Sequence, residues 1–201
     1  MEKEYKKTIE FYNKNSKERA KKHYFPQWEE ENFERFIHFL KREDAVIDIG
    51  CSYGVHASLF LRSSKKLKYE GLDASKEMIK IIRKQYPQLS FYDADLLKLN
   101  TFPKKKYNAF WASSVLMHIP KRYWPKMINN IKTILKPGAI GYISVPKLRP
   151  RPRSKYDQRY FNYWKNAEFK KILTQNGFKI LQRGSIKKSV WLWCMTQLPK
   201  K

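Results

Sequence analysis

Apolar and polar positions follow two alternating periods along the chain. Short, nearly unbroken apolar runs recur at intervals, and most are followed by a stretch whose apolar residues return every three to four positions. The first pattern suits a strand covered on both faces, the second an amphipathic helix. Glu29 to Lys41 sets Phe33, Phe36, Ile37 and Leu40 along one helical face. Ala45 to Ile49 reads as a buried strand ending at Gly50, with a helix from Ala57 to Leu61 behind it. Lys68 to Leu72 is a second strand, closed by Asp73. Ser75 then stands as the N-cap of a helix with Met78, Ile79 and Ile82 on one side. Leu89 to Tyr92 and Tyr107 to Ala112 are further strands. A helix from Trp124 to Leu135 is expected to stop at Pro137-Gly138, and a fifth strand to run from Ala139 to Val145. A helix over Ala167 to Gln175 and two strands, Phe178 to Arg183 and Val190 to Thr196, close the pattern, the last two as an antiparallel pair. Strands alternating with helices predict an α/β layered domain with a mainly parallel sheet.

Composition narrows the class. The 201 residues are 42% apolar and 15% aromatic, enough for one sizeable core. No run approaches the ~18 apolar residues of a membrane-spanning helix, and the charged start leads into no apolar leader segment. Cys51 and Cys194 are too few and too far apart for a disulfide framework, which points to the cytoplasm. The net charge of +25 suggests an anionic partner, such as RNA or another polyanion. Lys supplies 32 of the 43 cations and Arg only 11, however. That balance suits a lysine-biased surface better than a reader of nucleic acid, for which the planar Arg fork is preferred.

The chemistry concentrates in Asp48-Ile49-Gly50-Cys51-Ser52-Tyr53-Gly54, a strand running into a small-residue turn and then a helix. Glycine permits a tight turn and close approach to a ligand, and a helix start offers unpaired N–H groups. Asp73, 23 residues after Gly50, ends the next strand where a carboxylate meets ribose hydroxyls in nucleotide-binding folds. The same residues also fit G-x-S-x-G, the nucleophile elbow of hydrolases. That reading lacks an upstream oxyanion segment, and His118 is the only later His. The four His and two Cys show no metal-ligand spacing, so no metal site is expected.

Five runs in order, over about residues 44–146, resemble the motifs of class I S-adenosylmethionine-dependent methyltransferases. They are Asp48 to Gly54, Gly71-Leu72-Asp73-Ala74-Ser75 with Met78-Ile79, Asp93-Ala94-Asp95-Leu96, Phe110 to Pro120, and Ile134 to Gly138. The resemblance implies a three-layer Rossmann-like fold: a mostly parallel seven-stranded sheet with an antiparallel last strand. Residues 43–201 would form the methyltransferase domain and residues 1–42 a helical cap or lid. S-adenosylmethionine would be the cofactor. Gly50, Cys51, Ser52 and Gly54 would form its loop, with Asp48 holding the amino group or ordering the turn. Asp73 would bind the ribose hydroxyls, with Ala74 beside it in the cofactor site, Met78 would lie near the adenine, Asp95 and Leu96 would meet the adenine edge, and Ser113 would line the methionine end. Ser52 departs from the family, which commonly has Gly there.

Methyl transfer from a sulfonium needs alignment more than a catalytic constellation. His118, just past the fourth strand, is the candidate base if the acceptor carries a proton. Tyr5, Phe11, Tyr12, Tyr24 and Trp28 are candidates for an aromatic lid. The basic run from Lys147 to Lys155, with three of the eleven Arg, should lie near the acceptor pocket. A small-molecule acceptor, its anionic form included, is the first expectation; an RNA acceptor and a non-catalytic cofactor-binding protein are the alternatives.

Overall fold

The computed structural model describes residues 2–21, 27–99, 102–148, 157–185 and 190–200. Three helices open the chain: α1 (Glu2–Lys14), α2 (Ser16–Lys21) and α3 (Gln27–His38). The alternating part follows as β1 (Ala45–Ile49), α4 (Ala57–Arg62), β2 (Lys68–Asp73), α5 (Lys76–Gln85), β3 (Ser90–Asp93) and β4 (Tyr107–Ala112). Then come α6 (Trp124–Ile134), β5 (Leu135–Pro146), α7 (Asn166–Gln175), β6 (Lys179–Ser185) and β7 (Trp191–Gln197).

All seven strands join one sheet in the order β3-β2-β1-β4-β5-β7-β6. Pairings from β3 through β5 are parallel, and β7 runs antiparallel to both neighbours. The expected three-layer Rossmann-like arrangement is present. Side chains alternate across the sheet, so each strand feeds two cores. Ile47, Ile49, Phe110, Ala112, Ile143 and Val145 face the layer of α6 and α7. Val46, Ala109, Trp111, Ile140 and Tyr142 face the layer of α3, α4 and α5. On that second face Trp111 stacks on Tyr142 with centroids 3.9 Å apart, and Phe33, Phe36 and Phe60 surround the indole.

Helix α5 begins as its sequence predicts: the Ser75 hydroxyl accepts the Met78 N–H, and Met78, Ile79 and Ile82 are buried. One expectation fails. Pro137-Gly138 does not separate α6 from the fifth strand, because β5 starts directly at Leu135, paired with Tyr107. The register then shifts before Ala109 pairs with Ile140. Gly138, at φ 78°, lies in that irregular stretch. A bulge accommodates the Pro-Gly pair inside a strand that the sequence suggested would begin after it.

The fold places a crevice where the strand order reverses. From β1 the chain crosses to β2 on one side, while β4 leads to β5 on the other, so the carboxyl ends of β1 and β4 part.

Candidate functional site

A cavity of about 450 Å³ opens at this crevice, a volume within the ~300–1,000 Å³ range of small-ligand sites. Its floor is the turn after β1. Gly50 and Cys51 both donate their N–H groups to the Leu72 carbonyl, at 2.7 and 3.0 Å, tying the turn to β2. Gly50 sits at φ 75°, and a Cβ there would lie 2.3 Å from a Val115 methyl, so only glycine satisfies both backbone and space. Ser52 occupies the left-handed region too, at φ 54°. A non-glycine residue there costs roughly 1–2 kcal/mol. Its hydroxyl donates to the Met78 sulfur at 3.6 Å. The contact is with a thioether, not an imidazole, and nothing about it supports a hydrolase elbow.

Asp73 ends β2 on the cavity wall. One carboxylate oxygen accepts the Ser52 N–H at 3.0 Å and the other the Ser75 N–H at 2.8 Å. The carboxyl edge opens on the cavity, yet the group lies deep beneath the outer surface. That burial pushes its pKa up to about 6, against the downward pull of the Ser75 and Ser52 N–H groups. A carboxylate aimed and fixed by two main-chain donors retains lone pairs for a ligand's hydroxyls.

Behind the wall lies a buried polar network. Asp48, on the α3 side of β1, accepts the Tyr69 hydroxyl at 2.9 Å and lies 3.9 Å from His56 Nδ1. His56 Nε2 is 2.9 Å from Glu29 of α3. The other Glu29 oxygen accepts the Ser113 hydroxyl, which also contacts Ser144 Oγ at 3.2 Å. Burial raises Asp48 to about 6, with His56 and the Tyr69 hydroxyl opposing. Burial works to lower His56, but the Glu29 hydrogen bond and the charges of Glu29 and Asp48 outweigh it, and the net shift is upward.

The opposite end of the cavity is built from side chains far apart in sequence. Helix α1 lies across it, with Tyr5, Thr8, Ile9 and Tyr12 on the wall. His118 Nδ1 is 2.7 Å from the Tyr160 carbonyl, which can only accept, so Nδ1 carries the proton. Nε2 then accepts the Tyr12 hydroxyl at 3.0 Å. Arg159 donates to the same Tyr12 oxygen at 3.2 Å. Its Nη2 and Nε hold the Asp157 carboxylate at 2.8 and 2.9 Å. Arg19 of α2 completes this end, its guanidinium 5.0 Å over the Tyr12 ring.

Of the residues singled out from sequence, Gly50, Ser52, Asp73, Ala74, Leu96, Ser113 and His118 reach the cavity wall. Five others stand behind it. Strand alternation turns Asp48 toward Tyr69 and His56. Cys51 is fully buried against Gly71. Gly54 backs onto Ile82 and Tyr86. Met78 is fully buried, its sulfur under Ser52. Asp95 directs Oδ1 to the Tyr5 hydroxyl at 3.0 Å and the Leu97 N–H at 2.8 Å, bracing α1 and its own turn. The side chains of Tyr24 and Trp28, and residues 149–155 of the basic run, lie outside the described residues.

Residues 46–138, the span holding this turn, Asp73 and the segment before His118, match the methyltransferase domain family. That span resembles a methyltransferase domain, and the sheet around it has the Rossmann-like arrangement. Among relatives of this domain, a malonyl-[acyl-carrier protein] O-methyltransferase of Ilyobacter polytropus is 23% identical over 75% of the chain and 59% of its own length. A trans-aconitate 2-methyltransferase of Azoarcus is 24% identical over 63% of the chain and 54% of its length. The chain thus spans little more than half of these relatives. In three dimensions the fold resembles that of the 1,6-didemethyltoxoflavin-N1-methyltransferase of Burkholderia thailandensis, solved with S-adenosylhomocysteine. The TM-score is 0.77 at 15% identity, over 96% of this chain and 88% of that one. Among the described residues, no helix is long and apolar enough to cross a membrane.

Glu29 and Arg19 were not singled out from the sequence. Glu29 falls on the same helical stripe as Phe33, Phe36 and Leu40, a position that marks an inward carboxylate. Arg19 carries no comparable signal.

Proposed function

We propose that the protein is an enzyme that transfers a methyl group from S-adenosylmethionine to a small-molecule acceptor. The observation that carries the reading is Asp73, fixed at the end of β2 by Ser52 and Ser75 N–H groups and open on the cavity beside the Gly50 turn. This donor set suits the cofactor: a carboxylate for ribose hydroxyls, small residues at Gly50 and Ser52, and apolar Leu96 for the adenine. Gly50, Ser52, Asp73, Ala74, Leu96 and Ser113 would hold it. Asp48, Cys51, Gly54, Met78 and Asp95 would shape the turn and its supports from behind. When bound, the cofactor supplies an activated methyl group on a sulfonium.

The chain's own part is to align the acceptor, exclude water and take up a proton. An acceptor proton would pass to Tyr12 as the Tyr12 proton moves to His118 Nε2, the ring nitrogen that meets the Tyr12 hydroxyl at 3.0 Å while Nδ1 faces the Tyr160 carbonyl. A small acceptor is supported by the relatives named for malonyl-acyl-carrier-protein and aconitate methylation and by α1 lying across the cavity. Buried, unpaired Cys51 and Cys194 support a reducing compartment such as the cytoplasm.

Calorimetric titration with S-adenosylmethionine and S-adenosylhomocysteine tests the reading. Saturable binding, weakened about 100-fold or more by Asp73→Ala through loss of two charge-assisted hydrogen bonds, is expected. A folded protein that binds neither compound would overturn it.

A further inference from the structure

The acceptor end of the cavity holds two guanidinium groups with different fates. Arg159 is spent within the protein: Asp157 takes its Nε and Nη2, Tyr12 takes Nη1, and the Phe11 and Phe161 rings flank it at 5.1 and 5.0 Å. Its charge is neutralised and its position fixed. Arg19 has no acid partner among the described residues, and its Nε is a buried donor with no acceptor. The other acids on the cavity wall are committed elsewhere, Glu29 to His56 and Ser113, Asp73 to Ser52 and Ser75. Arg19 lines the cavity, and a guanidinium with no acid partner among the described residues and one donor already desolvated and unsatisfied favours an anionic ligand at its remaining donors.

We propose that Arg19 is a carboxylate-binding residue that selects an organic acid as the methyl acceptor. The proposal rests on the methyltransferase reading of the same cavity. The guanidinium carbon lies 5.0 Å from the Tyr12 ring centroid, a cation–π contact that anchors the group beside the cavity. A guanidinium fork matches a carboxylate in bidentate geometry. Among the described residues of this wall, Arg159 is neutralised by Asp157 while Arg19 has no acid partner, so a singly charged carboxylate matches it. The anchor lies against the ring whose hydroxyl meets His118, so the acid is held beside the proton-accepting pair.

The test uses the full chain saturated with S-adenosylhomocysteine. Benzoate, salicylate and trans-aconitate are titrated calorimetrically, each beside its methyl ester, with phenyl phosphate as a separate arm. The acids are expected to bind at least about ten-fold more tightly than their esters, the scale of one charge-assisted contact. Arg19→Gln should erase that preference while S-adenosylhomocysteine affinity stays within about two-fold, and Arg19→Lys should restore part of it. Equal binding of acids and esters, binding of neither, a preference that survives Arg19→Gln, or an Arg19-dependent preference for phenyl phosphate over benzoate would each overturn the proposal. If S-adenosylhomocysteine itself fails to bind the wild-type protein, the reading beneath the proposal falls as well, which separates the two failures.

Discussion

The two ends of the cavity are built in different ways. At the β1–β2 end the main chain does most of the work. Ser52 and Asp73, only 21 residues apart, are joined by a backbone hydrogen bond within one strand–helix–strand crossover. At the other end, Tyr12 and His118 are 106 positions apart and Tyr12 and Arg159 are 147 apart. Three separate stretches, α1, the turn after β4 and the segment before Trp164, must converge to make it. The first end is acidic, with Asp73 on the wall and Glu29 and Asp48 around His56. The second is cationic, through Arg19 and the paired Arg159. A site fixed by local backbone keeps its geometry when side chains change. A site assembled from distant side chains can be altered one residue at a time, which suits cofactor and acceptor recognition respectively.

The largest effect should come from breaking the backbone end. Gly50→Ala puts a Cβ 2.3 Å from Val115 in a left-handed residue. We expect S-adenosylhomocysteine affinity to fall by more than about 100-fold and stability by about 2–4 kcal/mol, by calorimetry and urea melts. Full binding by this variant would mean that the turn does not touch the cofactor. At the side-chain end, Tyr12→Phe should lower turnover about 100-fold, the scale of general-base assistance, with cofactor affinity unchanged. Formation of S-adenosylhomocysteine during methyl transfer reports the first quantity and titration the second. An equal loss in both would show that the two ends are not independent.

Acidity should act on the two functions in opposite directions. Asp73 and Asp48 rise from 3.8 to about 6 on folding, so the folded chain holds protons that the unfolded chain releases. Stability of the ligand-free protein should therefore increase as pH falls from about 6 to about 4. The raised His56 acts in the same sense, its stabilisation being lost as pH rises through its folded value. Glu70, whose first influence is burial but whose bonds to Lys106, Tyr107 and Tyr92 win and lower it, opposes the trend only at the acid end. With Asp73 as the proposed ribose ligand, cofactor affinity should drop about ten-fold between pH 7 and pH 5 as its carboxylate takes up a proton. Melting curves and titrations across that range should diverge; parallel trends would remove Asp73 from the binding site. The smallest effect is Ser52→Gly, which should relieve backbone strain and stabilise the fold by about 1 kcal/mol or less.

The legibility of the molecule in its sequence follows the same division. Strands β1, β2 and β4, the Ser75 cap and the amphipathic α5 could be read because each depends on neighbours in the chain. The β5 boundary could not, since Leu135 joins the sheet through Tyr107, and a bulge absorbs the Pro-Gly pair that otherwise signals a stop. At the site, Asp73 and Gly50 follow from strand ends. Met78, Cys51 and Asp95 carried the right motif spacing, but which way each side chain turns depends on packing. Glu29 heads an acidic run that reads as solvated surface, and only its register with Phe33 and Phe36 betrays its burial.

The sheet order also dictates an order of assembly. Strand β6 is made before β7, yet its sheet partner is β7, and β7 also covers the edge of β5 from Ile140 to Pro146. Until residues 191–197 arrive, β5 presents an open row of peptide groups and β6 has nowhere to dock. Pairings across so many residues form slowly, and exposed edges attract other chains meanwhile. Trp191, the first residue of β7, is itself part of the cavity wall. Strand β7 therefore covers β5, gives β6 its partner and supplies Trp191 to the cavity wall, so that a newly made chain gains its outer strands and its full cavity together.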